Sequence, residues 1–425
     1  MRDLNACVVG MQWGDEGKGK IIDLLSEEFD LVVRAQGGSN AGHTVVIGDR
    51  QFILHLVPSG IIRGADCVIG NGVVIDPDQL LAEIEELREQ GVEVAGKLLV
   101  SDRAQVVCPY HKALDGAREQ ALGDGKLGTT LRGIGPTYAD KAYRTGLRIG
   151  QLIDPGFVRD FFEAQVPLVN KVLRHVYSAE PVDLNEHIDW GLRSGAALKT
   201  MVGDTVEFLG QAARNGQTIL FEGAQGALLD IDFGTYPFCT SSNSTVGGFV
   251  TGTGLPPQEL GRTLGVLKTY TTRVGAGPFP TELDDELGEH IRQQGGEFGA
   301  TTGRPRRCGW FDAVAARYSA WLNGVTELAL TKLDVLEGID PLKICVAYEI
   351  DGRETEVFPA RTDQLAAAVP VYEEMPGWQE ATATGDTFDT LCPQAADYVN
   401  KLTELVDAPA KIVSVGSDRA QTIIG

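Results

Sequence analysis

Gly14-Asp15-Glu16-Gly17-Lys18-Gly19-Lys20 follows the apolar run Cys7-Val8-Val9 and precedes an amphipathic stretch from Ile21 to Phe29. Strand, glycine loop and helix in that order make a phosphate cradle. Glycines let backbone N–H groups close on an anion, and the helix N-terminus adds partial positive charge. Gly14-x-x-x-x-Gly19-Lys20 fits seven positions of the nucleotide-binding loop, but the eighth, where Ser or Thr would hold Mg²⁺, is Ile21. A metal then needs another ligand, and Asp15 is the nearby carboxylate. The plainer alternative is a glycine turn with two surface lysines, which the flanking strand and helix disfavour.

Working outward, Gln36-Gly37-Gly38-Ser39-Asn40-Ala41-Gly42-His43-Thr44 forms a second glycine cluster after a Leu31 to Arg34 strand. It offers an amide, a hydroxyl and an imidazole, and His43 could donate to developing negative charge. Alone, a histidine in a turn is more often a satisfied core group than a catalytic one. His55, His111, His175, His187 and His290 lack such a setting. Thr218 to Phe221 reads as a further strand. Val45 to Ile47 and Gln51 to Leu54 flank Gly48-Asp49 as a hairpin. Pro77 to Gln90 has helical periodicity behind an acidic start. Strands alternating with helices predict an α/β fold: a mainly parallel, twisted central sheet with flanking helices, like P-loop NTPases. A small antiparallel hairpin and helical insertions complete it, with ligands at the strand ends. No linker divides residues 1–425, so one domain is expected, with a possible helical insertion about 155–215.

Glycine supplies 52 of 425 residues, about 12% against a usual ~7%, and the excess lies in loops. The net charge of −22 argues against nucleic acid or anionic membrane as partner, so anions must meet locally concentrated donors. No apolar run approaches the roughly 18 residues that span a bilayer, and Met1 to Gly10 has no basic leader. Seven scattered cysteines without a CxxC pair suggest reduced thiols, a cytoplasmic setting and no zinc site.

Thr331-Lys332-Leu333-Asp334 follows the apolar Leu328 to Leu330 strand. A fixed carboxylate can accept both N1–H and the N2 amine of guanine, an edge that adenine lacks. A capping aspartate is the alternative; behind a phosphate loop, GTP over ATP is the better reading. Ala300-Thr301-Thr302-Gly303-Arg304-Pro305-Arg306-Arg307 gathers three guanidiniums suited to carboxylates and phosphates, and by itself reads equally well as a solvated basic loop. Gly128 to Gly135 and Phe221-Glu222-Gly223-Ala224-Gln225-Gly226 add polar glycine loops. Together they describe a wide site for more than one anion.

In this order the blocks resemble the adenylosuccinate synthetase family. The match runs from Gln12 to Lys20 and Gly37 to Thr44, through Gly133 to Pro136, Phe221 to Gly226, Thr240 to Asn243 and Gly275 to Glu282, to Gly299 to Arg304 and Thr331 to Asp334. The resemblance implies a cytoplasmic homodimer that joins IMP to L-aspartate with GTP and Mg²⁺, releasing adenylosuccinate, GDP and phosphate. It implies Asp15 as proton acceptor, His43 as proton donor and Lys18 beside them, with Mg²⁺ on Asp15 and the Gly42 carbonyl. GTP would meet Gly14, Asp15, Glu16, Gly17, Lys18, Gly19, Lys20, Gly42, His43, Thr44, Arg306, Lys332, Leu333, Asp334, Ser414, Val415 and Gly416. IMP would meet Asp15, Glu16, Gly17, Lys18, Asn40, Ala41, Gly42, His43, Thr130, Gln225, Thr240 and Arg304, with Arg144 arriving from the neighbouring subunit. Aspartate would lie under Ala300, Thr301, Thr302, Gly303, Arg304, Pro305 and Arg306. Ser39, Leu131, Pro305 and Ser417 depart from the family's commonest pattern. The rival classes are a GTPase switch, a different nucleotide-dependent ligase or kinase, and a nucleotide-binding protein without turnover; the arginine loop and the paired Asp15 and His43 disfavour all three.

Overall fold

Cys7, Val8 and Val9 are fully buried, as a parallel strand covered on both faces requires. The computed structural model describes residues 5–123, 128–299 and 303–425. Their strand, Ala6–Gly10, is central in a ten-stranded sheet. On one side follow Arg262–Lys268, Glu327–Thr331, Ala410–Ser414 and the edge strand Thr422–Ile424. On the other follow Ile219–Glu222, Leu31–Arg34, Asp66–Ile69, Leu98–Ser101 and Val202–Gly203. Every neighbouring pair is parallel except the last one at the Thr422–Ile424 edge. The expected mainly parallel α/β architecture is what the chain adopts.

The small hairpin pairs His43–Ile47 with Arg50–Leu54, so Gly48-Asp49 is its two-residue turn. The helix after the phosphate loop spans Lys18–Leu25 and ends in a tighter turn at Ser26–Glu28, earlier at both ends than the Ile21 to Phe29 expectation. Gly17 explains the early start. At φ 88° it occupies the left-handed region and turns the chain directly into the helix, placing both lysines in the first turn. The strand expected at Thr218 to Phe221 is shifted by one residue, which puts Glu222 at its end.

Residues 155–215 are largely helical, in Pro155–His175, Leu184–Leu198 and Thr205–Arg214. The first is capped by Asp154 and buries Val158, Phe162, Val166, Val169 and Leu173, a stripe at helical spacing. Gly191 lets the second helix approach, because a Cβ there would stand 2.7 Å from Val158. Each large apolar side chain buried in this way contributes roughly 1.5–3 kcal/mol.

Gly10, Arg34, Glu222, Lys268, Thr331 and Ser414 all end parallel strands at the carboxyl edge of the sheet. The chain's first strand has later strands on both sides, so a crevice opens there for ligands.

Candidate active site

The phosphate loop is built around Glu16, whose carboxylate is fully buried. Its Oε1 accepts from the backbone N–H of Gln12 at 3.0 Å and of Gly14 at 2.9 Å, and its Oε2 meets Lys18 Nζ at 2.6 Å. Gly10 must be small, since a Cβ would stand 2.4 Å from Glu16 Oε2. Thr331 Oγ1 donates to the Glu16 carbonyl at 2.6 Å, pinning the loop to the Thr331–Asp334 motif. Ile21 is fully buried and cannot serve as a metal ligand. Asp15 is half-exposed at φ 58°, and its Oδ2 accepts from Arg306 Nε at 2.7 Å.

Lys20 crosses to the C-terminal turn. Its Nζ donates to Ser414 Oγ at 2.7 Å and to the carbonyls of Gly416 and Gln421 at 2.9 Å each. Burial pulls its ammonium down to about 8, against the opposing charges of Asp334 and Asp418. Asp334 Oδ1 is buried without a partner, and burial raises this carboxyl above the ordinary range despite Lys332 and Lys20. An unpaired acceptor of this kind suits a base edge carrying donors. Leu333 points wholly into the core, leaving only its backbone for a ligand.

A polar triangle faces the loop from the other side. Gln225 Nε2 donates to Asn40 Oδ1 at 3.2 Å, and Asn40 Nδ2 to Thr240 Oγ1 at 3.4 Å. Gln225 Oε1 is buried and unpaired. A Cβ on Gly14 would stand 3.8 Å from the Gln225 backbone, so triangle and phosphate loop adjoin. His43 lies against the first helical turn: a Cβ on Gly19 would stand 3.0 Å from its own Cβ. Its Nδ1 is 2.5 Å from Glu222 Oε1, while Nε2 is buried and free. Glu222 is held below the ordinary carboxylate range; burial alone would raise it, and the charges of His43 and Arg34 with two hydrogen bonds outweigh that.

A family model described as adenylosuccinate synthetase matches residues 7–423. The chain belongs to the adenylosuccinate synthetase family. An adenylosuccinate synthetase of Saccharophagus degradans is 51% identical over 99% of this chain and 98% of its own length. One from Nostoc punctiforme is also 51% identical, over 99% of this chain and 94% of its own. The fully ligated adenylosuccinate synthetase structure from Plasmodium falciparum superposes with a TM-score of 0.94 at 36% identity, covering 99% of this chain and 100% of that one.

Within this adenylosuccinate synthetase fold, about half of the residues expected at the site fall into three neighbouring groups: loop with Arg306, the Asn40–Gln225–Thr240 triangle, and Lys20 with the 414–416 turn. Arg304 Nη2 reaches the Gly128 carbonyl at 3.5 Å, beside Thr130. Gly303 is in the left-handed region, and Pro305 bridges to Phe298. Ala300, Thr301 and Thr302 lie outside the described residues. Arg144 stands exposed, in the left-handed region, at the end of the Ile134–Tyr143 helix. The five other histidines include three with ordinary anchors: His55 on the Ala41 carbonyl, His111 on Asp140 and His187 on the Asp183 carbonyl.

Sequence reasoning passed over Glu222, Glu297 and Lys268. Glu297 is fully buried and binds Lys268 Nζ through both oxygens at 2.8 Å, Tyr270 Oη at 2.5 Å and Arg306 Nη1 at 2.8 Å. Lys332 Nζ lies 3.4 Å from the same carboxylate and donates to the Gly295 carbonyl. Among the described residues no cluster of three or more His, Cys, Asp or Glu could hold a metal. All seven cysteines are unpaired, and no described helix is long and apolar enough to cross a membrane.

Proposed function

We propose that the chain joins IMP and L-aspartate into adenylosuccinate at the expense of GTP, through a 6-phosphoryl intermediate. The observation that carries this reading is the position of Asp15. It sits in the phosphate loop, is held by Arg306, and adjoins the Asn40–Gln225–Thr240 triangle suited to a purine nucleotide. The 6-oxo group of IMP is a poor leaving group. Asp15 removes the N1 proton while O6 attacks the γ-phosphoryl of GTP, and such proton transfer is worth about 10²- to 10⁴-fold. His43, through its free Nε2, and Lys18 stabilise the moving charge. The aspartate amine then displaces phosphate at C6, with its carboxylates under the 300–306 segment.

The metal in this reading is Mg²⁺. One half-exposed carboxylate, Asp15, fits a hard cation that brings its own waters and phosphate oxygens rather than a closed protein cage, and the Gly42 carbonyl would be its second protein ligand. Bound there, it would supply positive charge to offset that of the nucleotide's phosphates. Guanine is read by Asp334, with Ser414, Val415 and Gly416 beyond Lys20. We further propose one catalytic unit over residues 1–425, a cytoplasmic setting in keeping with seven unpaired cysteines, and a homodimer. The exposure of Arg144 and its neighbour Tyr143 supports that dimer, in which Arg144 serves the other subunit's IMP.

An absorbance assay with IMP, aspartate, GTP and Mg²⁺, omitting each in turn, tests the reading. Turnover is expected only with the full mixture. Hydrolysis of GTP at full rate without IMP or aspartate would favour a GTPase switch instead.

A further inference from the structure

His43 has two ring nitrogens in different surroundings. Nδ1 is 2.5 Å from Glu222 Oε1, and Nε2 is buried with no partner. Glu222 is itself fully buried and fully engaged: its Oε2 accepts from the Ser59 N–H at 2.7 Å and its Oε1 from Ser59 Oγ at 3.1 Å. Arg34, on the neighbouring strand, supplies a nearby positive charge while its own terminal nitrogens are committed to the carbonyls of His55 and Gly38. Cys67 lies within the field of Glu222, and His55 within that of His43. A buried carboxylate that accepts from a backbone N–H and a hydroxyl has no proton of its own to offer, so it accepts from Nδ1–H.

We infer that Glu222 is a positioning residue for the reaction: it fixes the His43 ring with Nδ1–H turned inward and Nε2 turned towards the substrates. The inference rests on the proposed function, because it assigns Nε2 the charge developing on the transferred phosphoryl group. The neutral ring in this orientation has a bare Nε2. To donate there it must carry a second proton, and the Glu222 charge balances the resulting imidazolium. No proton passes to Glu222; it remains a carboxylate and orients the ring, as a buried acid does in a hydrolase triad. Glutamine at 222 cannot repeat this. Its amide must set N–H against either Ser59 N–H or His43 Nδ1, and the latter arrangement moves the ring proton to Nε2 without any balancing charge.

The test uses ¹⁵N-histidine-labelled full-length protein and needs no variant for its first reading. At a pH where the ring is neutral, His43 is expected as the Nδ1–H tautomer; a dominant Nε2–H form would overturn the inference. In Glu222→Gln the signal should change to Nε2–H. The same variant should lower kcat about 10²-fold or more, with the KM values for GTP and IMP changed less than threefold. Unchanged kcat, or a loss confined to KM, would assign Glu222 a purely structural part and sink the proposal. Ser59→Ala, which keeps the backbone donor, should leave the tautomer as it is. Failure of wild-type protein to make adenylosuccinate would count against the proposed reaction, whereas the tautomer reports on the pair itself.

Discussion

Arg306 donates through Nε to Asp15 Oδ2 at 2.7 Å and through Nη1 to Glu297 Oε2 at 2.8 Å. One guanidinium fork thus joins the proposed base to a buried carboxylate, and an incoming phosphate or carboxylate must compete for the half that faces Asp15. Lysine keeps the charge but cannot span both acids. Arg306→Lys should raise the KM for GTP or aspartate about tenfold or more, since a hydrogen bond to a charged group is worth ~1.5–3 kcal/mol. Wild-type KM values for both would show that charge alone suffices.

Asp15→Asn separates proton acceptance from loop structure. Asparagine still offers an oxygen to Arg306, and the loop is held by Glu16 rather than by Asp15. The variant should melt like wild type yet lose at least about 10²-fold in kcat. Steady-state synthesis near the wild-type rate would remove Asp15 from its role as base.

Lys20 predicts a pH dependence. Burial lowers its ammonium to about 8, so the free enzyme loses this charge as pH rises through that value. Bound phosphates favour the charged form and pull the proton back. GTP binding therefore takes up a proton above pH 8, and log KM for GTP should climb there with a slope approaching one. Lys20→Met should raise KM throughout and flatten the climb. Equal slopes in the two proteins would assign the effect to another group.

Much of this was legible before any coordinates. The strand–loop–helix order around Gly14 to Lys20, the hairpin turn at Gly48-Asp49 and the parallel sheet follow from local pattern. What stayed hidden depends on partners distant in the chain. Glu222 reads as one polar residue in a glycine loop until a strand neighbour brings His43, 179 positions away, onto its oxygen. Lys268 ends an apolar strand and looks like a surface lysine. Only the packing of the 297 region over that strand end makes it a buried counter-charge. Spacing within one segment cannot report such pairs, because parallel strands are joined through long crossovers.

Asp334→Asn tests the reading of the base. Its Oδ1 is buried and unpaired, awaiting a donor. Asparagine would set an amide N–H₂ against one of guanine's two donors and suit the 2-oxo group of xanthine instead. kcat/KM for GTP should fall about 10²-fold or more while XTP gains relative to it. Undiminished use of GTP would place guanine recognition elsewhere.

Glu297→Gln tests the hub beneath the site. Although burial alone would raise this carboxyl, the charges of Lys268, Lys332 and Arg306 hold it well below the usual range. A depressed carboxylate contributes stability that is present above its unfolded value, near pH 4.5, and lost as pH falls towards the folded value. Wild type should therefore lose stability steeply below about pH 4.5, and the variant less so. At neutral pH the variant leaves Lys268 buried without its counter-charge, at a cost of about 3–5 kcal/mol. Urea melts at pH 7 and pH 4 read both effects, and a constant difference between the two proteins across that range would show that the Glu297 charge is not what holds the hub together. Arg306 and Lys332 meet on this one carboxylate, so the same variant should also raise the KM for GTP.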